Sequence, residues 1–283
     1  MGAPMRQERF EPDGLVAAPC RYGASRIPFR GPAKQLNQPY LACIGGNDTY
    51  GKYIPTPFPD MIEKALGQTC VNLGCMNGGI DAFADDPAIL RLCRGASWTI
   101  VQVMGANQLS NRFYAVHPRR NDRFLRAAPA LRDLYPEVDF TMFTFTRHLL
   151  GCLYTTSPVR FEIVVHELRQ AWVARMGRLL AGVGKNCILL WFSAEPLSDC
   201  HWSGRPGLLK VDPLFVTATM IDRLRSQVQG LVVVNPSAAA LALGTAGMQV
   251  LPSQAAMADN LLGVASHAEA ATALISALTP LHL

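Results

Sequence analysis

Short apolar runs alternate along the chain with longer segments of helical pattern, and this alternation limits the possible folds more than any other feature. The apolar runs, which are typical of buried strands, occupy residues 40–44, 69–73, 97–104, 187–192 and 231–234. A further short strand is expected at 248–251. Helices are predicted over 57–66, from Pro87 onward, and over 158–182, 213–228 and 269–278. Because parallel strands need long crossover connections, the sequence predicts an α/β fold with a doubly wound, mainly parallel five-stranded sheet, flavodoxin-like, with helices on both faces.

Several helix starts are marked by their own residues. Thr56 is a plausible N-cap with Pro57 at the first helical position, and Asp212 is a plausible cap for the helix at 213–228. Asp85 and Asp86 precede Pro87, where acidic groups favour the positive end of the helix dipole.

The alternation pauses in the middle of the chain. Residues 105–157 are therefore predicted to be an insertion, part helical and rich in arginine, that covers one end of the sheet. Residues 1–37 show no clear period and are predicted to be an arm packed on the domain. The expected organisation is this arm followed by one α/β domain over 38–283.

Composition narrows the function classes. The 283 residues are 49% hydrophobic and 17% charged, which is typical of a folded globular protein. The eight cysteines form no Cys-x-x-Cys pair and no zinc spacing, so neither a metal nor a cofactor is predicted. Several of the cysteines lie inside apolar runs, as buried thiols do, so a reduced, cytoplasmic setting is expected. The first residues lack the apolar stretch of a signal peptide, and no apolar run reaches the roughly 20 residues of a membrane span. The modest net charge of +5 and the lack of a nucleic-acid motif predict no nucleic-acid partner.

A glycine-rich turn follows the first predicted strand. It runs from Gly45 through Gly46, Asn47, Asp48, Thr49 and Tyr50 to Gly51. In an open α/β sheet, ligands bind at the carboxyl ends of the strands. The sequence therefore predicts the functional site at this turn.

The turn resembles the first block of the SGNH (GDSL-type) hydrolases, Gly-Asp-Ser-x-x-x-Gly, aligned on Gly51. The resemblance extends over residues 39–110 and 260–280, and the chain is also similar to an uncharacterised, SGNH-like bacterial family. It places Asn47 at the position of the nucleophilic serine. It further implies that Gly74 and Asn107 donate hydrogen bonds to an oxyanion and that His267 acts as the base.

The chain departs from this pattern at three positions. Asn47 cannot supply an alkoxide, Gln108 replaces the aspartate of the Gly-x-Asn-Asp block, and Val264 stands where an aspartate would orient His267. Asp48 or Thr49 could take the place of the nucleophile, and Asp259 could orient the histidine. An interpretation without catalysis stays equally open, in which Asn47 and Asp48 only stabilise the turn and His267 caps a helix.

The positive charge of the chain is concentrated in one segment. Between residues 112 and 132 lie six arginines and a single acid, Asp122, an excess of five that equals the net charge of the chain. The segment begins shortly after Asn107, so its cations could overhang the site. The candidate substrate-binding residues are Arg112, His117, Arg119, Arg120 and Arg123. Arginine suits carboxylate, phosphate or sulfate groups, although a solvated charged face is the alternative interpretation.

Three functions are consistent with these residues. The first is an SGNH-like esterase or acyl-transferase acting on an anionic, carbohydrate-linked substrate. The second is an inactive relative that binds an anionic glycan or metabolite in the same cleft. The third is a transferase that uses a phosphorylated or sulfated donor held by the glycine-rich turn.

Overall fold

The structure is a computed structural model that describes residues 18–199, 209 and 211–281. The first 17 residues of the predicted arm lie outside the described residues. The strands are β1 (Pro19–Cys20), β2 (Phe29–Arg30), β3 (Leu41–Gly45), β4 (Cys70–Gly74), β5 (Trp98–Gln102), β6 (Tyr114–Val116), β7 (Phe124–Ala127), β8 (Cys187–Phe192) and β9 (Gly230–Val234).

The central sheet has five parallel strands in the order β4-β3-β5-β8-β9. The first of the five in the chain, β3, lies between the second and the third, so the order reverses between β3 and β5. This reversal leaves a crevice at the carboxyl ends of those two strands. The predicted doubly wound, flavodoxin-like α/β fold is confirmed.

The helices lie between the strands along the chain, and the last three follow β9. They are α1 (Asn47–Tyr50), α2 (Phe58–Leu66), α3 (Ile80–Ala84), α4 (Pro87–Gly95), α5 (Pro129–Leu134), α6 (Thr146–Thr156), α7 (Pro158–Val183), α8 (Ala218–Asp222), α9 (Ala238–Ala242), α10 (Ala255–Ala258) and α11 (Val264–Leu278). The start of α4 is capped by Asp86, whose carboxylate accepts hydrogen bonds from the N–H groups of Ala88 and Ile89.

Two apolar layers cover the two faces of the sheet. Successive side chains of a strand point to opposite faces, and β3 accordingly sends Leu41 and Cys43 into one layer and Ala42 and Ile44 into the other. Helices α2 and α11 close the first layer, while α3, α4 and α7 close the second. The expected helices on both faces are confirmed.

The arginine-rich stretch after β5 has its own small elements. The antiparallel pair β6–β7 is followed by α5 and α6, and an isolated bridge joins Arg123 to Phe145 just before α6. This bridge places the start of α6 beside the hairpin, near the carboxyl edge of the sheet.

Some predicted elements are wrong. The helix expected over 213–228 is reduced to α8, because Phe215 has a left-handed φ of 65° and the helix starts only at its real cap, Thr217. Residues 248–251 form no strand in the described structure; the N–H of Gln249 donates to the carbonyl of Tyr53 instead.

Two helix starts also differ from the prediction. The cap of α2 is Pro57 rather than Thr56, and no side chain caps this helix. The last long helix, α11, starts at Val264, before the predicted residue 269.

None of the helices in the described part of the chain combines the length and apolar character that crossing a membrane requires.

Candidate functional site

A cleft of about 320 Å³ opens at the carboxyl edge of the sheet, where the strand order reverses. Its walls come from the segments that follow three strands, at residues 46–48, 102–105 and 192–194, and from residues 211–213 and 259–263. The cleft therefore lies at the edge of the sheet where the glycine-rich turn is found.

The side chain of Gln102, at the end of β5, organises the turn after β3. Its Oε1 accepts hydrogen bonds from Gly46 N (3.1 Å), Thr49 N (3.2 Å) and Thr49 Oγ1 (2.6 Å). Its Nε2 donates to Asp48 Oδ2 at 2.9 Å. Every polar atom of this amide is therefore used to fix the start of α1 and the carboxylate of Asp48.

Gln102 is not among the residues that the sequence predicts for the site, although its position carries a signal. A glutamine in an otherwise apolar buried strand must find hydrogen-bond partners, because an unpaired buried polar group costs roughly 1–3 kcal/mol. Gly45 makes room for this arrangement. A Cβ at that position would lie 2.2 Å from Thr49 Oγ1 and 2.4 Å from Gln102 Oε1.

The carboxyl group of Asp48 is the titratable group that this arrangement presents to the cleft. Burial raises its pKa to about 6, and the nearby carboxylate of Asp212 acts in the same direction. Hydrogen bonds from Gln102 and from the N–H of Leu262 partly oppose this rise. Asp48 therefore changes its charge close to neutral pH, which is unusual for an aspartate.

A second carboxyl group, that of Asp212, borders the same cleft. Its Oδ2 lies 2.5 Å from Nη2 of Arg147. Gly105 lets the two loops approach, since a Cβ there would be 3.2 Å from Asp212 Oδ1. The sequence suggested only a capping role for Asp212 and gave no sign that residue 212 would meet residue 48.

Asn47, at the position that the resemblance gives to the nucleophile, borders the cleft and holds a neighbouring loop. Its Oδ1 accepts a hydrogen bond from Asn77 N at 2.9 Å. Asn77 itself has a left-handed φ of 57°, which asparagine tolerates better than most residues. Thr49 is fully buried and its hydroxyl is bound to Gln102, so it does not face the cleft.

Gly74 and Asn107 lie near the cleft but do not border it in the described structure. The N–H of Gly74 donates to Asn72 Oδ1 at 2.9 Å, so it is not directed at a ligand. Asn107 is fully buried, and among the described residues its side-chain amide finds no hydrogen-bond partner. Neither residue therefore lines the cleft, whereas the resemblance implies that both donate hydrogen bonds to an oxyanion there.

His267 lies in the first turn of α11 and is buried in the apolar layer beside the cleft. Its ring stacks on Phe58 at 5.9 Å between ring centroids and meets the edge of Phe192 at 5.3 Å. Its Nδ1 accepts a hydrogen bond from Phe58 N at 3.3 Å. Burial, with a smaller effect of Arg30, lowers the pKa of His267 to about 3. This environment favours a neutral, packed ring, whereas the resemblance implies that His267 acts as a base.

A His267→Asn variant separates packing from catalysis. Burial keeps His267 neutral in the folded chain, whereas the unfolded side chain binds a proton below its ordinary pKa of 6.5. The wild type should therefore lose stability as the pH falls from 6.5 toward 3, and the variant should lose less. Urea unfolding at pH 7 and pH 4.5 measures this difference, and identical pH dependence would contradict it. Ester hydrolysis should change by less than about tenfold, since loss of a general base typically costs about 10²–10⁴.

Comparisons with known proteins give a family but no activity. A family model described as "Domain of unknown function (DUF6473)" matches residues 5–282. The chain belongs to this family. No curated protein matches the sequence. Among solved structures, the DUF6473 chain is similar to a carbohydrate esterase family 2 enzyme with a carbohydrate-binding domain from Corynascus thermopiles (Myceliophthora fergusii). The identity is 10% and the TM-score 0.40, covering 90% of this chain and 70% of the other.

The arginine segment of this DUF6473 chain makes contacts of its own. Arg112 Nε lies 3.5 Å from Glu167 on α7, and Arg120 Nη2 lies 3.9 Å from Asp122. Arg119 donates to the carbonyl of Arg26, and its own N–H donates to His117 Nδ1.

These contacts hold the side chains outside the lining of the cleft. None of the five predicted substrate-binding residues lines it or the cavity beside it in the described structure, although Arg123 stands behind a wall residue, Phe145. The cations that border the two spaces, among the described residues, are Lys52 and Arg147. The bordering acids are Asp48, Asp122, Asp212 and Asp259. The described lining is thus more acidic than basic, unlike the anion site that the sequence predicts.

Proposed function

We propose that this chain is a hydrolase in which Asp48 activates a water molecule for attack on an ester. The observation that supports this most is the environment of Asp48. Its carboxyl group faces a cleft at the sheet edge, is held by Gln102, and titrates at a pKa of about 6 beside a second carboxyl group, Asp212. A strongly shifted pKa in a cleft is typical of a catalytic acid or base.

A water molecule suits this site better than a side-chain nucleophile. The hydroxyl of Thr49 is bound to Gln102, and Ser193 Oγ donates to the carbonyl of Asp212 at 2.7 Å. Ionised Asp48 would take a proton from water as the oxygen attacks the acyl carbon, and would return that proton to the departing alkoxide. No acyl-enzyme forms in this scheme. In an acyl-transferase, an acceptor alcohol would take the place of water.

The lining supports a neutral, hydroxyl-rich substrate such as an acylated carbohydrate. The amide side chains of Asn47, Gln108 and Asn260 border the cleft and can bind hydroxyl groups. The acids that border it would repel an anion, which also disfavours a phosphorylated or sulfated donor. We therefore keep the esterase expectation and replace its anionic substrate with a neutral one.

The pH profile tests the role of Asp48. A general base must be ionised, so kcat/KM for p-nitrophenyl acetate should rise with pH through a midpoint of about 6 and then level off. A profile that falls through this range would make Asp48 an acid instead. Absence of hydrolysis with this ester and with acetylated sugars would favour the inactive, ligand-binding alternative.

A fluorophosphonate probe tests the absence of a serine nucleophile. The wild type should stay unlabelled under conditions that label a serine hydrolase completely. Ser266 is the residue to examine, because it lines the cleft and its buried Oγ has no hydrogen-bond partner among the described residues. Labelling that Ser266→Ala removes would replace activated water with an acyl-enzyme route.

A further inference from the structure

A second cavity of about 410 Å³ opens beside the cleft, toward the arginine-rich hairpin. The two spaces share five wall residues, which are Asn47, Gln108, Asp212, Asn260 and Leu261. A ligand in one space would therefore lie against the same side chains as a group reacting in the other. A cavity of this size is in the range of small-molecule sites, which is about 300–1,000 Å³.

Two residues that line this cavity each carry a buried polar side-chain atom without a hydrogen-bond partner in the described part of the chain. These atoms are the hydroxyl Oγ1 of Thr146, a residue only 1% exposed, and Oδ1 of Asp122. The backbone joins these residues, since Thr146 N donates to Asp122 O at 2.9 Å. Buried polar groups are normally paired, so two adjacent unpaired groups in one wall indicate a place for a polar ligand.

An exposed aromatic ring stands next to these polar atoms. Phe145 is 44% exposed although it borders the cavity. Its position is fixed by the bridge to Arg123, whose guanidinium carbon lies 6.0 Å from the ring centroid. The wall therefore combines a flat apolar surface with hydrogen-bonding groups at its side.

The formal charges around this cavity cancel among the described residues. Asp122 and Asp212 oppose Lys52 and Arg147, and Arg147 is already paired with Asp212. A phosphate or carboxylate would have to compete with that pair. The cavity thus offers unpaired polar atoms, an exposed aromatic ring and no net formal charge. A neutral ring with hydroxyl groups on its edge and an apolar face matches all three of these features.

We propose that this cavity is a subsite for a sugar ring, which stacks on Phe145 and hydrogen-bonds to Thr146 and Asp122. This inference rests on the proposed function, because it places the carbohydrate part of the ester beside Asp48. Binding of an unreactive sugar, however, can be measured without any hydrolysis.

The probes are the methyl glycosides of glucose, galactose, mannose, xylose and N-acetylglucosamine, each titrated by NMR into the full chain. At least one should bind saturably to the wild type. Phe145→Ala should weaken that binding by about tenfold or more, the size of effect seen when an aromatic anchor is removed. Met142→Ala is the control, because Met142 is 70% exposed and does not border the cavity in the described structure. No binding, or equal effects of both variants, would overturn the subsite.

A second variant guards against a general folding defect. Thr146→Val removes the unpaired hydroxyl and keeps the shape of the side chain, so it should weaken the glycoside at least about threefold without lowering Tm. A fall in Tm with unchanged binding would show that the hydroxyl serves the fold and would overturn the subsite.

The two proposals fail separately in these experiments. Phe145-dependent glycoside binding without ester hydrolysis would reject the activity and keep the subsite. Asp48-dependent hydrolysis of p-nitrophenyl acetate without glycoside binding would keep the activity and reject the subsite.

Discussion

Replacing Asp48 by asparagine is expected to lower kcat/KM for ester hydrolysis by about 10²–10⁴, the usual contribution of a general base. Asparagine keeps the size of the side chain and can still accept a hydrogen bond from Gln102 Nε2, but it cannot take a proton from water. Activity on p-nitrophenyl acetate at pH 8 measures the effect. Asp133→Asn, which changes an exposed aspartate on α5, is the matched control and should leave activity unchanged.

The same substitution should make the protein more stable near neutral pH. The pKa of Asp48 rises to about 6 on folding from its ordinary 3.8, so the folded state holds this proton more tightly than the unfolded state. The contribution of protonated Asp48 to the free energy of unfolding is fully present below pH 3.8 and is lost as the pH rises through 6. The loss is up to about 3 kcal/mol. Asp48→Asn removes this pH dependence, so an inactive variant with a higher Tm at pH 7 is expected. A variant that is both inactive and less stable would indicate a structural role.

Gly74→Ala is expected to reduce the free energy of unfolding by about 3 kcal/mol or more, at the upper end of overpacking effects. A Cβ on Gly74 would lie 2.2 Å from Tyr50 N and 2.6 Å from Tyr50 Cα. Both are backbone atoms of α1, which cannot rotate away, so β4 and α1 must separate. That separation would also displace Asp48, and activity should fall together with stability.

The control for this variant is Gly151→Ala in the middle of α6. Nothing lies within 4 Å of a Cβ at that position. Alanine is the better helix former, so this variant should gain about 0.5–1 kcal/mol in stability. Urea unfolding of both variants against the wild type measures the contrast. A Gly74→Ala protein as stable as the wild type would contradict the close contact between β4 and α1.

The sheet was predictable from the sequence because buried parallel strands carry continuous apolar runs. Residues 187–192 coincide with β8, and Leu41–Gly45 differs from the predicted strand at 40–44 by one residue. The helix predicted at 213–228 failed for a local reason. The left-handed φ of Phe215 depends on tertiary contacts that a helical pattern does not reveal.

The candidate site was predictable in location but not in composition. The glycine-rich turn indicated the edge of the sheet at which the cleft lies, and Asp48, one of the residues it suggested, borders that cleft. The contact of Asp48 with Gln102, and its proximity to Asp212, join residues distant in sequence. The role of His267 could not be chosen from the sequence, because a histidine at this position suits either a base or a ring packed in the core. Its contacts with Phe58 and Phe192 favour the packed ring, and they join residues distant in sequence.

The most direct test of the proposed role of Asp48 is an NMR titration of its side-chain carboxyl carbon, assigned by its loss in Asp48→Asn. We expect a midpoint near 6 in the folded protein. A midpoint at or below 3.8, the ordinary value for aspartate, would contradict this proposal, because the cleft would then not raise the pKa of Asp48 toward neutral pH.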